Sequence, residues 1–140
     1  MNYIYKQKFQ LTDLVPLPEL NKKVLIYEPS YELGQVYSQH LSRRNYLVTH
    51  CTNLELIKQH LVYWQPHLVL FSIDGLAINL DLFAKLSGLR QDQGLQVITL
   101  GYEVSDEILK KLMSMGVASH VNRKLSRPRD LVEIIDNVLA

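Results

Sequence analysis

The chain has 140 residues, 15 of them Lys or Arg and 14 Asp or Glu, for a formal net charge of +1. That length, with 47% hydrophobic and 21% charged residues, suits one globular domain and excludes a disordered chain or coiled-coil rod, while the charge balance argues against nucleic acid as partner. One cysteine, Cys51, rules out a disulfide framework or a thiolate zinc site, and apolar runs such as Leu68–Ile73 fall far short of bilayer length.

Residues 1–21 differ from the rest. Tyr3, Tyr5, Phe9, Leu11, Leu14 and Val15 have no sustained period, and Pro16 and Pro18 break the chain after them, so the segment reads as an N-terminal arm. Its start, Met1–Lys6, has no apolar signal segment, and a cytoplasmic location is expected. From Lys22 onward, apolar runs alternate with helix-period stretches. Val24–Tyr27, bounded by Pro29, reads as a strand buried on both faces. Leu33, Val36, Tyr37, His40 and Leu41 predict one helical stripe, and Asn45 suits the left-handed position that ends it. Tyr46–Thr49 is a second strand. Leu54, Ile57, Leu61 and Trp64 mark a second helix, stopped by Pro66.

Leu68–Ile73 is the third strand, and Leu80, Phe83 and Leu86 mark a third helix. Gly94 precedes a fourth strand, Gln96–Leu100. Ser105 suits an N-cap, with Ile108, Leu109, Leu112 and Met115 as the inward stripe and Gly116 as the stop. His120–Asn122 is a short fifth strand. Ser126 with Pro128 then opens a last helix whose Leu131, Ile134, Ile135 and Val138 face inward. Buried strands separated by amphipathic helices predict an α/β domain over residues 22–140. Its expected form is a three-layer flavodoxin-like (βα)5 with a parallel sheet in the order 2-1-3-4-5. Sites in such folds lie beyond the carboxyl ends of the strands, here around Glu28, Ser72, Gly101 and Arg123.

Those positions carry a family resemblance. Val24–Glu28, Tyr46-Leu47-Val48, Pro66-His67-Leu68-Val69-Leu70-Phe71, Met115-Gly116-Val117-Ala118 and Ser126 to Leu131 resemble, in order and spacing, the response-regulator receiver domain over about five sixths of the chain. The resemblance implies phosphoryl transfer from a partner kinase to an Asp ending the third strand, with Mg²⁺ on acidic residues after the first strand. A Ser/Thr and a Lys grip the phosphoryl oxygens. This sequence departs from that pattern at nearly every position. Glu28 matches the first acidic residue, but Pro29 takes the second; the acceptor position falls on Ser72, the Ser/Thr on Gly101 and the Lys on Arg123, with Lys124 next. His120 stands at the family's switch aromatic. Mg²⁺ needs near-octahedral oxygen ligation anchored by carboxylates, and two of the three expected carboxylates are replaced. A Ser hydroxyl is a poor nucleophile without a base, and none is expected beside Ser72.

The expected function is a pseudo-receiver: a non-enzymatic bacterial signalling module working by protein–protein contact, without phosphorylation, metal or cofactor. Arg123 is expected to pair with Glu28 in place of the metal charge. Its expected partners are a histidine kinase or an output protein. A homodimer would use either the N-terminal arm or the face of the fourth helix, fifth strand and fifth helix, where Ile108, Met113, Met115 and Val138 are candidate contacts. One alternative is phosphorylation at Asp74 or Glu28, although Asp74-Gly75 reads more simply as a turn. Another is an anion or cyclic-dinucleotide site at Arg123, Lys124, Arg127 and Arg129 before the last helix. A flavin or nucleotide enzyme would need a Gly-rich or hydroxyl-rich first loop, and Glu28-Pro29-Ser30-Tyr31-Glu32 is neither. The histidines show no metal-ligand spacing; only His120, at the switch position, holds functional interest.

Overall fold

The computed structural model describes residues 22–73, 85, 86, 88, 89 and 92–140. The N-terminal arm, Asp74, Leu80 and Phe83 lie outside the described residues. The elements run β1 (Lys23–Tyr27), α1 (Tyr31–Ser42), β2 (Leu47–Cys51), α2 (Leu54–Tyr63), β3 (Leu68–Ser72), β4 (Gln96–Gly101), α3 (Asp106–Ser114), β5 (Ser119–Asn122) and α4 (Pro128–Leu139). Lys85, Leu86, Gly88, Leu89, Asp92 and Gln93 are also helical, between β3 and β4.

All five strands pair in parallel in the order β2-β1-β3-β4-β5, the order expected from the sequence. Strand alternation divides the core into two layers. Leu25, Val69, Phe71 and Val97 pack with Ile57, Leu61, Leu86 and Leu112 on one face of the sheet. Val24, Ile26, Leu68, Leu70, Ile98 and Leu100 pack with Tyr37, Leu41, Leu131 and Ile135 on the other. β3 is buried along its whole length, as a central strand covered on both faces must be. No helix among the described residues is long and apolar enough to cross a membrane.

Several local expectations shift. The buried line of α1 is Gly34, Tyr37 and Leu41, whereas Leu33 and Val36 are exposed. The cause is His50 on β2. A Cβ on Gly34 would overlap the His50 ring, so the helix rests on the imidazole along its glycine. Strand β2 starts at Leu47, because the Tyr46 N–H still closes α1 on the Leu41 carbonyl, while Leu47 N–H opens the ladder on Lys22. Asn45 takes φ 68°, as its place at the end of α1 predicts. Arg127, not Ser126, caps α4: its N–H donates to Asp130 Oδ2 at 2.8 Å, and Pro128 begins the helix. The inward face of α4 also includes Val132 and Leu139, both buried. Of the four apolar residues assigned to a docking face, Ile108, Met115 and Val138 pack partly against the core, and only Met113 is exposed.

Candidate functional site

Glu28 directly follows β1 and is 2% exposed. A buried carboxylate needs hydrogen bonds and a counter-charge, and Glu28 has both. Its Oε2 accepts from the Ser30 N–H at 2.9 Å. Its Oε1 accepts from Ser72 Oγ–H at 2.6 Å and meets Arg123 Nη2 at 3.1 Å. Ser72 closes β3 and is 4% exposed. Because Arg only donates, Ser72 Oγ accepts from Arg123 Nη2, at 3.1 Å, while donating to Glu28.

Arg123 follows β5, and its side chain is 11% exposed. From there it crosses β4 to reach β3 and β1. The last residue of β4 is Gly101, which has no side chain to stand in the path and whose carbonyl accepts the Arg123 N–H at 2.6 Å. Arg123 Nη1 donates to Tyr37 Oη at 2.9 Å, so one guanidinium ties β1, β3, β5 and α1 together. The planar fork of Arg makes these divergent contacts possible in a way a Lys ammonium would not.

The structure thus brings Glu28, Ser72 and Arg123 into contact, with Gly101 supplying backbone, and leaves Pro29 and Lys124 exposed outside the cluster. Lys124 Nζ lies 5.9 Å from the centre of the Tyr102 ring. A base does stand beside Ser72, contrary to expectation: Glu28, which follows the neighbouring strand β1, accepts from its hydroxyl. Arg123 and Ser30 hold that carboxylate too, and Ser72 is out of reach of solvent.

His120 sits on β5 beside Thr99, its register partner on β4. The Tyr102 carbonyl can only accept, so His120 Nε2–H donates to it at 3.0 Å. Nδ1 shares a hydrogen bond with Thr99 Oγ1 at 2.9 Å. The ring is therefore engaged through both nitrogens. Arg127 pairs with Asp130 at 3.2 Å. This pairing holds the Asp130 carboxyl below the usual carboxylate range, first through the Arg127 side chain and then through its backbone N–H. Arg129 lies apart, in a cleft with the end of α1.

Helical spacing places Tyr37 in the core stripe of α1 and gives no sign of its bond to Arg123. The one available signal is chemical: a buried Tyr needs a partner for its hydroxyl, which a core Leu or Phe does not. Among the described residues no three His, Cys, Asp or Glu side chains converge as metal ligands. Among the described residues the cluster offers Mg²⁺ one carboxylate, Glu28, and that carboxylate already holds the Arg123 guanidinium.

No family model matches the sequence, and no curated protein is significantly similar to it. Solved structures do match. A response regulator from Thermotoga maritima superposes with a TM-score of 0.71 at 14% identity, over 85% of this chain and 98% of that one. An orphan response regulator of H. pylori gives 0.73 at 17% identity, over 85% and 97%. The chemotaxis response regulator CheY4 of Vibrio cholerae gives 0.72 at 15% identity, over 84% and 98%. The chain has the fold of the response-regulator receiver domain.

Proposed function

We propose that this chain is a two-component signalling module that works by protein–protein contact and takes no phosphoryl group. The observation that carries this reading is the Arg123 guanidinium lying on both Glu28 and Ser72. In a working receiver those positions hold a metal and an acceptor carboxylate. Here the hydroxyl at the acceptor position is a spent donor, the neighbouring carboxylate is neutralised, and a cation stands where Mg²⁺ would bind. The cluster links four elements and favours a single conformation. The proposed partner is a protein, either a histidine kinase or an output protein. Tyr102, Met113 and Leu125 are exposed on or beside α3 and β5 and offer it apolar contact.

The test is incubation of the chain with Mg²⁺ and acetyl phosphate, read by intact mass and by amide spectra, with beryllofluoride as a second probe. No mass gain and unchanged spectra are expected. A Mg²⁺-dependent gain of one phosphoryl group, mapped to Glu28 or Asp74, would overturn the reading.

A further inference from the structure

A separate feature lies at the other end of α1. Asp136 of α4 accepts from Tyr46 Oη–H at 2.5 Å and pairs with Arg44 at 2.6 Å, fixing the end of α1 against α4. Between the two helices is a cleft of about 280 Å³ lined by His40, Arg43, Arg44, Arg129, Val132 and Glu133. Arg44 is balanced by Asp136, but Arg43 and Arg129 are exposed and make no ion pair among the described residues. Two guanidinium-bearing residues, one capping α1 and one on α4, thus line one small space, with the Glu133 carboxylate the one acidic group among the lining residues. His40 Nδ1 donates to the Val36 carbonyl at 3.0 Å, which leaves Nε2 as its nitrogen for a ligand. Val132 supplies an apolar side and Glu133 an acceptor.

Arg forks match phosphate oxygens two at a time, which favours phosphate over a single carboxylate as the bridging group. The cleft is close to the lower limit of small-molecule pockets, about 300 Å³, and so admits one phosphate with a compact body. A macromolecular partner needs no such recess; it would be recognised over a broad surface. We propose that this cleft binds a small phosphorylated metabolite, with its phosphate held between Arg43 and Arg129. The apolar part of the ligand lies on Val132, and a hydroxyl or amine donates to Glu133. The site is independent of the Glu28–Arg123 cluster.

Calorimetric titration of the full chain with AMP and with glucose 6-phosphate tests this, with adenosine and glucose as uncharged controls. At least one phosphorylated probe is expected to bind with a Kd below about 1 mM. Arg43→Gln with Arg129→Gln is expected to weaken it by about tenfold or more, equivalent to about 1.4 kcal/mol. Both positions are exposed, and circular dichroism checks that the variants fold. Absence of binding for both phosphorylated probes, unchanged affinity in the double variant, or binding of the uncharged controls would each overturn the proposal. So would a phosphoserine peptide binding more tightly than either probe, or complete displacement by equimolar sulfate.

Discussion

Replacing Arg123 by Met keeps an apolar stem and removes the guanidinium. Glu28, 2% exposed, then loses the charge 3.1 Å away, while Ser72 and Tyr37 each lose a donor. Removing one partner of a buried ion pair destabilises by about 3–5 kcal/mol, because the charge left behind is uncompensated. Glu28 retains its bonds from Ser72 and Ser30, which places the expected loss near the low end, about 3 kcal/mol. With a urea slope of about 2 kcal/mol/M, the midpoint falls by about 1.5 M. Domains have about 5–15 kcal/mol in hand, so the variant still folds and can be measured. Adding Glu28→Gln removes the abandoned charge: the amide oxygen takes the place of Oε2 and accepts from the Ser30 N–H, while the amide NH2 donates to Ser72 Oγ, which has lost its Arg123 donor; the double variant recovers to within about 1 kcal/mol of the native chain. A loss under about 1 kcal/mol for Arg123→Met, or a double variant as weak as the two single losses summed, would refute the electrostatic account.

Gly34→Ala drives a methyl into the His50 ring, which cannot swing away without breaking its bond from Nε2–H to the Glu28 carbonyl at 2.9 Å. A loss of about 1–3 kcal/mol is expected, with partial rescue by His50→Ala, as read from paired urea curves. Tyr46→Phe removes a hydrogen bond to a charged acceptor and is expected to lower stability by about 1.5–3 kcal/mol near neutral pH. Burial, followed by the bond to Asp136, raises the Tyr46 phenol above its ordinary value. Its contribution is therefore full below about pH 10, where the unfolded phenol is protonated, and is lost as the pH rises toward the folded value. Urea midpoints at about pH 8 and pH 11 test this: the gap between native chain and variant should narrow at the higher pH.

Strand placement is legible because β1, β3 and β4 are nearly continuous apolar runs that only a doubly covered parallel sheet can bury. With the strands placed, the crossover rule leaves the observed order among few choices. The stripe expected for α1 differs from its buried line because that line is set by a glycine, which a count of apolar residues passes over, and by a histidine from another strand. The positions of Glu28, Ser72 and Arg123 at strand ends come with the fold. The engagement of Tyr37, and the hydrogen bonds that unite the cluster, depend on side-chain reach across neighbouring elements, which linear spacing does not encode. The cleft by α4 is hidden for a related reason. Arg43 and Arg129 lie 86 positions apart in sequence, and nothing in either neighbourhood points to the other.

Hydrogen bonds at both nitrogens hold His120 between β4 and the segment after it. Turning the ring outward forfeits both, and at about 0.5–1.5 kcal/mol each the outward form is disfavoured about fivefold to more than a hundredfold. Tyr102, whose carbonyl is one of the two anchors, is held in place with it. Under the function proposed above, a protein that binds this side of the molecule would meet a surface biased to one setting. A switch reports by changing shape; under the function proposed above, this part would inform its partner only by being present, and its control would fall to how much of it the cell makes and keeps.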